Sequence, residues 1–275
     1  MVIRFGLFLK ELLLFGPTMM VGIYTAHKYS FILKKPVSPI TFSFDDIIYF
    51  ALFFLVVVFL MKRFRRFNVL VFRFFLFLII FTGSQLVFGA FLPLPTNILL
   101  AILLVALFIL IHNILIHDLA IIVGIAGIAS ALGISISPII AIILLVAFSF
   151  YDILAVYWTK HMIRLAKGMV ESGAIMGFVI PFQIKDFFFH KSASRDKLGE
   201  KFMILGSGDI GLPVILLSSV AFISVWQSLI ISVFVVLGLF LTHFIFVNQK
   251  ERKPMAALPP IATMTIVGYL VSQLL

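Results

Sequence analysis

Two acidic side chains lie deep inside long apolar runs of the sequence. The chain has 11 Asp and Glu residues, and most of them fall in polar stretches or at the ends of apolar runs. Asp152 and Asp209 are the two that remain well inside such a run. A carboxylate in the interior of a membrane is costly unless it is paired or functional. These two residues are therefore the first candidates for chemistry.

A pair of nearby carboxyl groups has a defined chemistry. Two carboxylates in close contact cannot both ionise readily, so the pair holds one shared proton. The ionised member can accept a proton from water while the protonated member polarises a peptide carbonyl, as in aspartic proteases. The same pair could instead carry a proton or a cation across a membrane. The two acids alone leave both functions open.

The residues around Asp209 weaken a helix on both sides of this acid. Gly206, Ser207 and Gly208 precede it, and each glycine inside a helix costs about 1 kcal/mol relative to alanine. Pro213 follows four residues later, where its ring disrupts the helical bond to the carbonyl of Asp209. We therefore predict a broken helix or a close approach of backbones at this acid.

Two further groups of residues are candidates for the same site. Tyr151 precedes Asp152 and either hydrogen-bonds a carboxyl or the substrate, or anchors its helix at the membrane interface. Near the C-terminus, Ala257, Leu258 and Pro259 open an apolar run, and a second proline follows them. Adjacent prolines remove backbone donors and push the residue before them out of helical geometry. We therefore expect irregular backbone at Leu258.

The composition indicates that lipid surrounds most of the chain. Hydrophobic residues make up 63% of the 275 residues and charged residues 12%, whereas a soluble domain has about 25% charged residues. A membrane helix needs about 20 mostly apolar residues. We predict an all-α membrane protein with nine transmembrane helices, at residues 5–26, 44–61, 67–88, 96–116, 118–137, 138–159, 202–226, 228–248 and 254–275.

These boundaries place the two acids at one depth. Asp152 lies seven residues from the end of the sixth predicted helix, and Asp209 lies seven residues from the start of the seventh. At 1.5 Å per residue, each is about 10 Å below the same membrane surface. Consecutive helices run in opposite directions, so the two carboxyls can face each other.

The distribution of positive charge predicts the orientation. Sixteen of the 21 Lys and Arg residues fall at the N-terminus or in loops on its side of the membrane, and three fall on the other side. This asymmetry predicts a cytoplasmic N-terminus and an outside C-terminus in the cell membrane. It also explains the net charge of +10 without a nucleic acid partner.

Lys10 and Glu11 interrupt the first apolar run, which favours a retained helix with snorkelling side chains over a signal peptide.

The predicted helices divide the chain into three parts. Residues 1–159 form helices 1 to 6, residues 160–201 form a long cytoplasmic loop, and residues 202–275 form helices 7 to 9. Within the loop, the apolar stretch 169–182 is either an interfacial helix or an extended segment. Residues 201–205, just before Gly206, are either an ordinary helix start or a strand that could pair with an unwound substrate.

Several kinds of site are disfavoured by residue type. The sequence has no cysteine, so it offers no disulfide, thiolate nucleophile or cysteine-ligated metal. It also lacks the His-Glu-x-x-His motif of zinc proteases. His112 and His117 are five residues apart and lie on different faces of a helix. His243 is interpreted as a polar packing residue. We predict neither a metal nor a cofactor.

Asp118, at the start of a predicted helix, is interpreted as a cap.

At these motifs the sequence resembles the presenilin and signal-peptide-peptidase family of intramembrane aspartyl proteases. The resemblance is carried by Tyr151-Asp152, by Gly206-Ser207-Gly208-Asp209 and by Ala256-Ala257-Leu258-Pro259, in the family order on the sixth, seventh and ninth predicted helices. Ala256 departs from the family pattern, which has proline there.

The resemblance implies a function and a catalytic pair. It implies that Asp152 and Asp209 activate water to cleave single-span membrane proteins, and that Ala257, Leu258 and Pro259 help to shape the site. The small size, the missing cysteines and the cytoplasmic N-terminus resemble an archaeal single-chain member of the presenilin branch. No obligatory accessory subunits are implied.

Overall fold

A computed structural model of the chain describes residues 4–33, 65–159, 168–170, 173–183, 186–187, 202–249 and 254–274. Its helices are α1 Phe5–Leu33, α2 Arg65–Phe91, α3 Thr96–Leu110, α4 Ile114–Ser135, α5 Pro138–Ile153, α6 Ser207–Ala221, α7 Val225–Val247 and α8 Leu258–Ser272. Its strands are β1 Gly177–Pro181 and β2 Phe202–Gly206.

Among the described residues, five helices are long and apolar enough to cross a membrane. They are α1, α4 and α7, the part of α2 from Val69, and α5 with the turn that extends it to Trp158. The chain is therefore a multi-pass membrane protein. α3, α6 and α8 are apolar but have only 15 residues each, about 22 Å of helix against a hydrocarbon core of about 30 Å. The second predicted helix, 44–61, lies outside the described residues.

Side-chain caps set the start of two helices. The side chain of Asn113 accepts a hydrogen bond from the amide of Ile116 at 2.9 Å and begins α4, four residues earlier than predicted. Asp118 is therefore not the cap of this helix, and the prediction that it caps was wrong. Ser137 caps α5 in the same way, with Pro138 in the first turn, where a missing N–H costs nothing.

α6 is the central helix of the described fold. It contacts α1, α4, α5, α7 and α8 and both strands. Nearly every residue from Ile210 to Ala221 is buried or partly buried. Its backbone also accepts a hydrogen bond from a neighbouring helix, since the hydroxyl of Ser228 on α7 donates to the carbonyl of Leu217 at 2.8 Å. The first residues of α6 are thus held at a fixed place inside the bundle.

Glycines allow α2 and α4 to touch backbone to backbone. A Cβ added at Gly83 would overlap the backbone of Gly124, and one added at Gly127 would overlap the backbone of Gly83. Small residues at membrane helix interfaces allow this approach, in which close packing replaces the hydrophobic effect. α4 is thereby fixed against α2 on one side and against α6 on the other.

The predicted helix 202–226 is in fact a strand followed by a helix. Residues 202–206 form β2, which pairs antiparallel with β1, and α6 begins only at Ser207. The structure is therefore mostly helical rather than all-α, and the interpretation of 201–205 as a helix start was wrong. Of the two alternatives left open for 169–182, the extended one is found at β1, Gly177–Pro181. Residues 202–206 form a strand because they pair with residues 177–181. Local propensity does not reveal a pairing between separate segments.

α8 also begins later than the predicted ninth helix. Residues 254–257 are non-helical, and α8 starts at Leu258 with Pro259 and Pro260 in its first turn. The prediction of irregular backbone was right for the preceding segment but wrong for Leu258. Prolines at the start of a helix lose no intrahelical bond, so they define the start of α8 instead of disrupting it.

Candidate active site

Asp152 lies where regular helix ends in α5. The next five residues, Leu154–Trp158, form a π-helical turn, and the amide of Thr159 donates to the carbonyl of Leu154 at 2.9 Å. Single π turns often occur at functional positions in helices. The side chain of Asp152 is only 5% exposed. It therefore points into the bundle, as a membrane carboxylate must if it is to find partners.

Asp209 lies at the opposite kind of helix end. It is the acidic residue in the first turn of α6, whose N-cap is Gly206. The unsatisfied amides and the dipole at a helix N-terminus favour a carboxylate there. Asp209 was predicted to lie seven residues inside a helix. It lies in the first turn because residues 202–206 form the strand β2 and are not helical. A Cβ at Gly206 would come 3.1 Å from Oδ2 of Asp209, so glycine lets the backbone approach this carboxyl closely.

The structure brings the two acids together. Asp152 lies in the last turn of α5, and Asp209 lies in the first turn of α6. α5 and α6 are in contact, and α8 contacts both. The end of one helix and the start of another therefore meet at a carboxyl pair inside the described bundle.

The third sequence motif contacts Asp152 through its backbone. The amide of Leu258 donates to Oδ2 of Asp152 at 3.3 Å, and the amide of Ala257 also faces this carboxyl. Thr242 on α7 fixes the segment from the other side, since its hydroxyl donates to the carbonyl of Ala257 at 3.2 Å. Leu258 and Ala256 are buried. The motif therefore orients one acid with main-chain amides, and these amides are available because residues 254–257 are not helical.

The hairpin of β1 and β2 leads directly into Asp209. Leu205 pairs with Phe178, and the amide of Ser207 donates to the carbonyl of Met176 at 3.3 Å, so the pairing continues to the start of α6. In an antiparallel pair only alternate residues bond across the ladder. By this register the backbone groups of Ile204 point away from β1, toward the open edge of the hairpin.

Two side chains of α4 hold the other edge of the hairpin. Oδ1 of Asp118 accepts the amide of Val179 at 2.9 Å, and Nε2 of His117 lies 3.1 Å from the carbonyl oxygen of Gly177. Both α4 residues are buried. The outer edge of β1 is therefore occupied by α4. Sequence reasoning did not assign this role, because it depends on a contact across about 60 residues of chain.

A cavity of about 160 Å³ lies beside Asp209. Residues of β2, α1, α7 and the segment 254–257 surround it: Glu11, Met203, Ile204, Leu205, Leu239, Thr242, His243, Phe246, Pro254, Met255 and Ala257. Most of these side chains are apolar. The open edge of the hairpin and one of the two acids thus border the same space.

The remaining predicted site residues are not all at this cavity. Tyr151 is 50% exposed on α5, a position that suits an interface anchor better than a partner for a carboxyl. Ser207 and Gly208 form the first turn of α6, and Gly208 is exposed with open space around its Cα. Pro259 is partly buried in the first turn of α8.

Two ionisable residues at the cavity were not predicted to be there. Glu11 and His243 are buried and form a hydrogen bond of 2.9 Å between Oε1 and Nδ1. Lys10 is also buried, and its ammonium group donates to the carbonyls of Pro181 and Phe182. The prediction that Lys10 and Glu11 snorkel to the interface was therefore wrong. Their apolar neighbours in sequence give no sign of partners so distant along the chain.

No group of three or more His, Asp or Glu side chains that could hold a metal ion is found in the part of the chain that the structure describes. His117 is committed to β1, and the ring of His112 lies near the carbonyl of Leu110. The polar side chains that line the cavity are the carboxyls of Glu11 and Asp209, the hydroxyl of Thr242 and the imidazole of His243.

The fold and the placement of the two acids define the class of the protein as a polytopic membrane protein with two acids at helix ends inside its bundle. A family model described as signal-peptide peptidase, presenilin aspartyl protease matches residues 14–275, nearly the whole chain. The chain therefore belongs to this family and is an intramembrane aspartic endopeptidase. The resemblance inferred from the three motifs is confirmed.

Solved structures agree with this assignment. One is described as a presenilin family intramembrane aspartate protease in C222 space group; it is 25% identical, with a TM-score of 0.57 and 94% of each chain covered. Another, described as a presenilin family intramembrane aspartate protease in P2 space group, is 24% identical, with a TM-score of 0.54, and covers 94% of this chain and 96% of its own. The latter supports the fold alone. A comparison with curated proteins finds no match.

Proposed function

We propose that Asp152 and Asp209 together hydrolyse peptide bonds of single-span membrane proteins. With one shared proton, the ionised carboxyl takes a proton from water as the water oxygen attacks the peptide carbonyl carbon. The protonated carboxyl donates to the carbonyl oxygen. When the tetrahedral intermediate collapses, the C–N bond breaks and the pair gives the proton taken from water to the leaving amine. One hydroxyl of the intermediate returns its proton to the other carboxylate as the carbonyl re-forms, so the pair again holds one proton. No metal or cofactor takes part.

The observation that carries this proposal is the meeting of the two acids at opposite helix ends. A carboxyl pair used only for packing gains nothing from mutual repulsion, which is a cost in a low-dielectric interior. The amide of Leu258 restrains Asp152, and the carboxyl of Asp209 lies close to Gly206 in the first turn of α6. We infer that both carboxyls are positioned before substrate arrives, as efficient acid–base chemistry requires.

Substrate recognition follows from the needs of a membrane helix. Its peptide bonds are hidden in its own hydrogen bonds, so hydrolysis requires local unwinding, and the freed groups need new partners. We propose that the unwound segment adds as a strand to the open edge of β2 at Ile204. This edge lies beside Asp209, whereas the outer edge of β1 is held by α4.

The wider architecture belongs to the same proposal. Nine transmembrane helices, with the parts 1–159, 160–201 and 202–275, place the N-terminus in the cytoplasm and the C-terminus outside the cell. The site then lies nearer the cytoplasmic surface, so cleavage falls nearer the cytoplasmic end of the substrate helix. The enzyme works as a single chain in the bilayer, without obligatory accessory subunits.

Cleavage of a single-span test substrate by purified protein tests the function. We expect Asp152→Asn and Asp209→Asn each to lower the rate by about 10²–10⁴-fold, the usual contribution of general acid–base groups. Inhibitors that bear a hydroxyl in place of the attacked carbonyl should bind the wild type and protect it from heat. Asp196→Asn, which changes an acid in the loop 160–201, is the matched control. Ion flux that depends on both acids, without any cleavage, would instead identify a channel or transporter.

A further inference from the structure

The cavity beside Asp209 has a polar wall that the proposed mechanism does not use. Glu11 of α1 and His243 of α7 line the cavity, with exposed fractions of 3% and 2%. Nδ1 of His243 lies 2.9 Å from Oε1 of Glu11. Nε2 of the same ring is buried and has no hydrogen-bond partner within the described residues. A buried polar atom without a partner costs about 1–3 kcal/mol, so its presence at a cavity needs a reason.

Electrostatics indicates which form of the ring faces the cavity. A buried pair in apolar surroundings is far less costly when its net charge is zero. Three arrangements have zero net charge. An imidazolium beside a carboxylate, and a neutral imidazole that accepts the carboxyl proton on Nδ1, both carry a hydrogen on Nε2. The third, in which Nδ1–H donates to the carbonyl oxygen of a protonated carboxyl, forms the weaker hydrogen bond because neither group is charged and the acidic proton is left unused. His243 therefore presents a donor, not an acceptor, at its unpaired nitrogen.

The surrounding groups leave this donor available. The ring of Phe8 packs against His243 with 5.5 Å between centroids, and supplies no acceptor. The hydroxyl of Thr242, the preceding residue, donates to the carbonyls of Gly238 and Ala257. The ammonium of Lys10 donates to the carbonyls of Pro181 and Phe182 and does not compete for Glu11. Because His243 lines the cavity, a hydrogen-bond acceptor that reaches its unpaired nitrogen meets Nε2–H.

We propose that His243 is a substrate-positioning residue whose Nε2–H donates to a backbone carbonyl oxygen of the unwound substrate segment. The inference rests on the proposed function, because only an unwound helix brings unpaired carbonyl oxygens into this cavity. Each such oxygen needs a donor in a space walled mainly by apolar side chains. Glu11 holds the imidazole ring through Nδ1, so that Nε2 is directed consistently. The pair thus contributes to binding of the substrate backbone without taking part in proton transfer at the carboxyl pair.

Two substitutions separate this role from a purely structural link between α1 and α7. The amide of asparagine occupies roughly the place of Nδ1, so His243→Asn keeps a donor for Glu11 and removes the donor to the cavity. The amide of glutamine occupies roughly the place of Nε2, so His243→Gln keeps the cavity donor and removes the partner of Glu11. The positioning role therefore predicts that KM rises more in His243→Asn. The structural role predicts that KM rises more in His243→Gln.

The test measures KM, kcat and thermal stability for cleavage of the single-span substrate, beside wild type and Asp209→Asn. We expect His243→Asn to raise KM about fivefold to tenfold with kcat nearly unchanged and Tm close to wild type, as loss of one binding hydrogen bond predicts. His243→Gln should restore a KM close to that of wild type while its Tm falls.

Three results would overturn the inference. One is an unchanged KM in His243→Asn. Another is a rise in KM that follows the loss of Tm in both variants, which would identify a structural link. If His243→Asn does not fold, His243→Gln decides, and a KM as high as that of His243→Ala would refute the role of Nε2. In all three cases the proposed function still stands if the wild type cleaves the substrate and Asp209→Asn does not. Absence of such cleavage overturns the function and this inference together.

Discussion

At the scale of single residues, the approach of backbone to Asp209 is the most restrictive feature of the site. Gly206 has φ −65° and ψ 144°, a conformation that any residue adopts, so glycine is not required there for backbone reasons. It is required because a side chain would come 3.1 Å from Oδ2 of Asp209, tighter than an ordinary contact. A side chain at position 206 would therefore push the carboxyl of Asp209 aside by a few tenths of an ångström.

We predict that Gly206→Ala lowers kcat about tenfold while the protein stays folded, because a displacement of the acid by a few tenths of an ångström misaligns it. Cleavage kinetics and thermal melting measure both effects. Gly211→Ala is the matched control, since an added Cβ on the same helix meets only Ile125, at an ordinary 3.6 Å. A Gly206→Ala enzyme with the kcat of Gly211→Ala would show that this close approach is not needed.

At the scale of elements, the hairpin connects the long loop to the site. β1 lies in the segment assigned to the loop, β2 adjoins α6, and α4 binds the far edge through Asp118. A two-stranded hairpin is marginally stable by itself, so its support by α4 is needed to keep β2 in place. The edge of β2 that we propose for substrate binding therefore depends on side chains of α4, which contact the other edge of the hairpin.

Asp118→Ala should therefore reduce cleavage through the hairpin. The substitution leaves the amide of Val179 buried without its acceptor, at a cost of about 1–3 kcal/mol, and should raise KM and lower Tm together. Asp118→Asn keeps an oxygen at this position and should be milder in both measurements. If alanine and asparagine are equally active and stable, the contact at 2.9 Å does not support the hairpin.

The open edge of β2 allows a second test at this scale. Ile204→Pro removes an N–H that points away from β1, so the hairpin can form while one donor to the substrate is lost. We expect cleavage to fall about tenfold or more, with binding of a small hydroxyl-bearing inhibitor retained. Ile204→Ala keeps the N–H and controls for the lost side chain. A folded proline variant that cleaves at the rate of the alanine variant would exclude strand addition at Ile204.

At the scale of the whole molecule, orientation is the main prediction still open to test. The chain has no cysteine, so single cysteines can be introduced without background. We expect a membrane-impermeant maleimide to label Ser192→Cys, in the loop 160–201, only in inverted vesicles. It should label Ser38→Cys, between the first two predicted helices, only in intact cells. The opposite pattern would reverse the orientation derived from the Lys and Arg distribution.

The sequence by itself determined the class of the protein and the identity of its candidate acids. Apolar runs report on burial in lipid whatever the details of packing, and an acid inside such a run is conspicuous because its cost must be compensated. Asp152, Asp209 and the segment before Leu258 could all be found in this way. The predicted helix starts were less accurate. Asn113 caps α4, and the prolines of α8 lie in its first turn, only because the local backbone has the required geometry.

The tertiary structure alone decided what surrounds those acids. β2 is a strand because β1 lies beside it, and β1 is held because α4 offers Asp118 and His117; the three elements come from separate stretches of the sequence. The same is true of Glu11, which pairs with His243 across 232 residues. Hydrogen bonds between distant segments leave no periodic signal in a sequence. In an apolar interior they nevertheless decide where every polar group must lie, because no water is available to take their place.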